Sequence, residues 1–156
     1  MSGEARIREV PELQVVTVSD VLDQAALEAW LPDAMTRAFD RAAGAALTAD
    51  DLPYLERSGP DPVIFTTYEG NPNLGPCEIV VAVAVRTGGD RTLPAHREAF
   101  VRVTKQLVTS GGLGGAYEVA EAAAGPDAGP PTETYWTDFG DAAPGDPVFD
   151  VGWRIR

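Results

Sequence analysis

Apolar positions along the chain change their spacing in an order that occurs twice. Residues 6–18, RIREVPELQVVTV, predict a first strand with an irregularity at Pro11, which lacks a backbone donor. From Gln24 to about Leu47 the spacing turns helical, with Leu27, Leu31, Ala34, Met35, Ala38 and Ala42 on one face. Asp20 or Asp23 can cap that helix, and Pro32 marks a kink or a restart. Residues 48–61 read as loop. PVIFTTY (62–68) and CEIVVAVAV (77–85) predict two strands on either side of the breaker-rich GNPNLGP. The second is apolar at nearly every position, as expected of a central strand covered on both faces. TGGD (87–90) closes this half.

The order then repeats. REAFVRVTKQLV (97–108) predicts a strand, and GGLGGAYEVAEAAA (111–124) a shorter helix beginning near Gly114 or Gly115. PTETYWTDF (131–139) and PVFDVGWRIR (147–156) predict two more strands around GDAAPGD. Each half is β-α-β-β. Two such units predict an α+β fold with a mixed or antiparallel sheet and two main helices packed on it. The expected organisation is one domain over 1–156, with pseudo-repeats about 5–86 and 95–156. Laying Pro62 over Pro131 and CEIVVAV over FDVGWRI places Ile64 opposite Glu133. A carboxylate in an inward-facing apolar position needs hydrogen bonds, a cation or a proton. That makes Glu133 the first candidate for chemistry.

Composition narrows the classes. With 156 residues the chain can bury a sizeable core, and 24 acidic against 12 basic residues give a net charge of −12. No basic cluster interrupts that field, so direct nucleic-acid binding is not expected; the charge reads as a solubilising surface, or, given a pocket, as a field that gathers cationic ligands. One cysteine, Cys77, and one histidine, His96, leave no zinc quartet, and no metal or cofactor is expected. MSGEARIREV lacks a signal-peptide core and no apolar run approaches a membrane span, which predicts a cytoplasmic location. His96 reads as a surface residue and Cys77 as packing. GGLGG is followed by no phosphate-loop lysine. Glu78 and Asp150 each begin an apolar strand, where solvation at the strand end accounts for them.

Several segments together resemble the GyrI-like small-molecule-binding domain. This is the effector-binding module of bacterial multidrug-responsive transcription regulators and of stand-alone proteins related to the gyrase inhibitory protein. The resemblance rests on the opening R-x-V-P-x-L-x-V-V, the long first helix, PVIFTTY followed by CEIVVAVAV, LPAHREAFVRVT, the E-x-Y of Glu133-Thr134-Tyr135, and PVFDVGWRI. It covers essentially the whole chain. It implies a duplicated β-α-β-β unit with a ligand pocket between the halves and Glu133 at its floor, Tyr135 beside it, facing the charge of lipophilic cations. Tyr68, Trp136, Trp153 and Trp30 are candidate wall residues. Unlike the regulators, the chain is expected to be the sensor-like module over 1–156 without an appended DNA-binding domain, and its second repeat is glycine-rich and short, which sets the shape of one pocket wall apart from theirs. The implied function is binding of hydrophobic, cationic small molecules in drug sensing or sequestration, without catalysis. The resemblance leaves two alternatives open. One is a hydrolase of strained, cyclopropane-containing DNA alkylators that uses Glu133 and Tyr135. The other is a gyrase-inhibitor-like partner for a protein.

Overall fold

The computed structural model describes residues 4–156, so Met1–Gly3 of the charged N-terminal segment lie outside the described residues. Eight strands form one antiparallel sheet: β1 (Arg6–Val10), β2 (Leu13–Leu22), β3 (Ile64–Tyr68), β4 (Cys77–Val85), β5 (Arg91–Leu93), β6 (His96–Thr104), β7 (Pro131–Tyr135) and β8 (Pro147–Ile155). The helices are α1 (Gln24–Ala42), α2 (Lys105–Thr109) and α3 (Leu113–Ala124). The fold is the expected α+β arrangement, with every strand pair antiparallel.

The strand order is β1-β6-β8-β7-β3-β4-β2-β5. Exchanging β1 with β5, β2 with β6, β3 with β7 and β4 with β8 turns this order into its own reverse. The duplicated unit is therefore related by a pseudo-twofold axis between β3 and β7. Strand ends fix the correspondence: Ile64–Tyr68 lies on Pro131–Tyr135, Cys77–Val85 on Pro147–Ile155, and 13–21 on His96–Thr104. Glu133 thus corresponds to Thr66, not Ile64, and the two are also direct partners across the β3–β7 ladder. The sequence overlay is two residues out of step on this strand. Because strand side chains alternate with period two, a slip of two keeps every side chain on its face. The inward direction inferred for Glu133 survives the correction.

Other boundaries also differ. The single strand expected over 6–18 is two strands at opposite ends of the sheet, since β1 pairs with β6 while β2 pairs with β4 and β5. Pro11 and Glu12 make the crossing. The short β5 has no counterpart among the predicted strands. The strand expected over 97–108 stops at Thr104, whose hydroxyl accepts the Leu107 N–H at 3.2 Å and starts α2. Pro32 lies inside an unbroken α1. Both Pro32 and Glu28, whose carbonyl loses its N–H partner, are exposed, so that carbonyl is accessible to solvent rather than stranded in the core.

Asp23 is the N-cap of α1, accepting the Ala26 N–H at 2.9 Å, and the Gln24 N–H donates to Pro72 O at 3.0 Å. The second bond ties the helix start to the β3–β4 turn. Asp23→Ala is expected to cost about 1 kcal/mol of stability, read as a lower urea midpoint with unchanged denaturant slope.

One sheet face carries both long helices. Ala34, Ala38 and Ala42 of α1 pack with Val16, Val81 and Val83, and Ala116 and Ala120 of α3 pack with Val101, Phe149 and Val151. Alanine at these positions lets the helices approach closely. The helices cover the flanking strands β2/β4 and β6/β8, leaving β3 and β7 open between them. The opposite face is closed in part by residues 49–55, with Leu52, Leu55, Val63, Phe65 and Trp136 in one cluster. No helix among the described residues is long and apolar enough to cross a membrane.

Candidate functional site

The strip between α1 and α3 is a cavity of about 880 Å³. Leu27 of α1, Leu113 and Tyr117 of α3, Tyr68 of β3, Trp153 of β8 and Glu133 of β7 contribute to its lining. Glu133 is 6% exposed. Its carboxylate is held by three phenols: Tyr68 donates to Oε1 at 3.1 Å, Tyr117 to Oε2 at 2.5 Å, and Tyr135 also donates to Oε1. No lysine, arginine or histidine forms an ion pair with Glu133 among the described residues.

The fold explains this convergence. Tyr68 and Tyr135 occupy corresponding places on β3 and β7, so the pseudo-twofold axis brings both phenols toward the middle of the sheet. Only one half supplies the acid they meet. The other half has Thr66, fully buried, whose hydroxyl has no hydrogen-bond partner among the described residues. The Trp153 indole N–H donates to Tyr117 O at 3.1 Å and fixes the turn of α3 that carries the third phenol. The Tyr135 ring leans on Phe149, centroids 5.0 Å apart and tilted by 39°.

The electrostatics follow from burial and charge. Loss of solvent, and then the adjacent Glu133 charge, push the hydroxyls of Tyr68, Tyr117 and Tyr135 far above the ordinary phenol range. At neutral pH these groups stay protonated and act as hydrogen-bond donors. Three such donors stabilise an anion within a low-polarity wall without neutralising it. The result is a carboxylate set among aromatic rings at the wall of the cavity.

No family model and no curated protein matches the sequence. Among solved structures the chain is similar to EcmrR, seen by cryo-electron microscopy in the EcmrR–DNA complex of EcmrR-RPo. The TM-score is 0.61 at 15% identity, over 99% of this chain and 57% of that one. What they share is the fold. The chain spans little more than half the length of this neighbour, and at that identity no residue role passes from one to the other.

Of the residues singled out from sequence, the structure brings Glu133, Tyr68 and Trp153 to the cavity lining, while Tyr135 bonds to Glu133 without lining the cavity itself. It puts two others elsewhere. Trp136 belongs to the opposite face, 2% exposed in the core with Leu55 and Val63, under the guanidinium of Arg102 at 5.1 Å. Alternation requires this, since Trp136 follows Tyr135 and turns the other way. Trp30 packs with the alanines of α1 on the first half of the sheet. Sequence reasoning misses Tyr117. The one available signal is its position as the sole aromatic on a helix otherwise built of small, acidic and aliphatic residues. Among the described residues no group of three or more His, Cys, Asp or Glu side chains is placed to hold a metal ion.

Proposed function

We propose that the chain binds hydrophobic small molecules carrying a positive charge, with Glu133 as the counter-charge, Tyr68, Tyr117 and Trp153 as the aromatic surround, and Tyr135 holding the carboxylate from outside the cavity lining. The observation that carries this reading is a nearly buried carboxylate with three phenol donors and no cationic partner among the described residues, opening on a cavity within the range of small-molecule sites. A cation placed there gains Coulomb attraction in a medium of low polarity, and each ring face adds about 0.5–2 kcal/mol. The net charge of −12 favours approach of cations over phosphate backbones. The fold shared with part of EcmrR and the GyrI-like pattern of the sequence support a role as a ligand-binding module, in sensing or in sequestration.

Hydrolysis is less well supported at this site. A general acid works best with a pKa near the ambient pH, and the three phenols are pushed the other way. Glu133 would then have to act without an acid partner among them.

Fluorescence titration with a cationic rhodamine ester tests the binding reading. Glu133→Gln keeps the shape, and is expected to weaken the dye by about 1–3 kcal/mol, or about 5- to 150-fold. An uncharged analogue of the dye should lose little. Equal affinity of both proteins for the cation, across a panel of lipophilic cations, would count against the proposal.

A further inference from the structure

The face of the sheet turned away from α1 and α3 holds a second cavity, of about 260 Å³, that the reading above does not use. Its floor is apolar, formed by Val10, Leu13, Phe65, Val80 and Ala82. Thr67, Thr132 and Thr134 run across it, and Glu98 borders it. β7 separates the two cavities: Glu133 points to one, while its neighbours Thr132 and Thr134 point to the other.

Glu98 is the unusual group. It is 5% exposed and belongs to a buried cluster with Arg8, Asp150 and Arg102. Arg8 donates to Glu98 Oε1 twice, from Nε at 3.0 Å and from Nη2 at 2.8 Å. Oε2 accepts no hydrogen bond among the described residues. The chain makes room for that oxygen: a Cβ at Gly152 would stand only 2.5 Å from Oε2. Glycine inside a strand marks such a close approach. Oε2 is not sealed off, since among the described residues only Arg57 Nε and Thr66 Oγ1 are fully buried without a partner, so the carboxylate offers a free acceptor to the cavity.

The charges decide what it accepts. Behind the wall Arg8 and Arg102 offset Glu98 and Asp150, and on the lining itself Arg91 and Arg154 offset Glu69 and Glu98, so neither set gives the cavity a net formal charge that would favour ions of one sign. Oε2 is left free to accept from a donor that enters the cavity. The threonine hydroxyls offer further polar contacts, although Thr67 and Thr132 already bond to each other at 3.0 Å. We propose that this cavity is a second binding site, for a small uncharged molecule with an apolar body and one hydroxyl group that donates to Glu98 Oε2. Its volume lies just under the usual range for drug-sized ligands, which limits the guest to about the size of a substituted phenol.

Fluorine NMR with 4-fluorophenol as probe and 4-fluorotoluene as its donor-free counterpart tests the site. The phenol should bind saturably, at least tenfold more tightly than the toluene. In the unaltered protein, amide shifts should centre on Thr67, Thr132 and Thr134. Ala82→Leu, which fills the floor, should abolish binding, and Glu133→Gln should leave it unchanged. Equal binding of both probes, absence of saturable binding, or loss of the phenol on Glu133→Gln with retention on Ala82→Leu would each overturn the proposal. The shift map on the unaltered protein keeps the test decisive if the leucine variant does not fold. The cationic dye reports on the Glu133 cavity separately, so either reading can fail alone.

Discussion

Asp150→Ala is expected to lower the unfolding free energy by about 3–5 kcal/mol, the cost of removing one partner from a buried ion pair. Asp150 is completely buried. Its Oδ2 accepts from Arg8 at 2.7 Å and from Arg102 at 3.1 Å, and its Oδ1 accepts from Arg102 at 2.9 Å. Removing it leaves two guanidiniums facing one carboxylate, an excess positive charge held away from water. Burial alone would push Arg8 toward losing its proton, but Glu98 and Asp150 outweigh that and hold it above its ordinary value. Arg8 also lies over Phe100 at 3.8 Å, and Arg102 donates to Leu55 O at 2.7 Å. These bonds join β1, β6, β8 and the segment after α1, so the charge left unpaired is felt across the whole face. Urea unfolding of Asp150→Ala measures the loss, with Glu78→Ala as control. Glu78 is exposed, and its removal should change stability by no more than about 0.5 kcal/mol. A similar small change for Asp150→Ala would show that the cluster contributes nothing net.

This pair of acids also shows where the sequence stops being informative. Both start apolar strands, and solvation at a strand end is the expectation for each. It holds for exposed Glu78 and is corrected for Asp150, which lies beneath two arginines that are distant in sequence. Local pattern carries the periodicity of a strand but not the identity of what crosses above it. Arg8 arrives from β1, a strand whose partner β6 is some ninety residues away. The same limit explains the misread 6–18 segment. Its apolar spacing is continuous, and only the tertiary pairing separates β1 from β2.

What is legible depends on period rather than on position. The helical stripe of α1, the all-apolar β4 and the repeated β-α-β-β order each come from spacing that burial imposes directly. Glu133 falls on the correct face even though its counterpart is misjudged by two residues, because a slip of two preserves alternation. Trp136 shows the converse. Composition alone makes this aromatic a candidate wall residue, yet a single step along a strand from Tyr135 reverses the face. Tyr117 comes from a different element altogether, and no spacing within α3 points from it to β7.

The phenols supply the second large effect, at alkaline pH. The chain has four tyrosines, Tyr54, Tyr68, Tyr117 and Tyr135, and burial raises every one of them, with Glu133 adding to the last three. An unfolded tyrosine loses its proton near pH 10, while the folded one keeps it to a higher pH. Below about pH 10 both states hold the proton and stability is undiminished. Above it the unfolded state binds fewer protons, and stability falls by about 1.4 kcal/mol per pH unit for each tyrosine. Four together approach about 5 kcal/mol per unit, against a total stability of about 5–15 kcal/mol for a typical domain. Tyrosinate absorbance should therefore stay flat through pH 10 and then rise in one cooperative step, together with loss of the helical circular dichroism signal. A reversible tyrosine titrating near pH 10 in the folded protein would mean that its hydroxyl is not held as described. Glu133→Gln sharpens the test, because it removes the charge but not the burial. Since burial is the larger cause for Tyr68, Tyr117 and Tyr135, the step should move only slightly and remain cooperative. If the three phenols instead fell to the ordinary range, the anion rather than the enclosing wall would be what keeps them protonated.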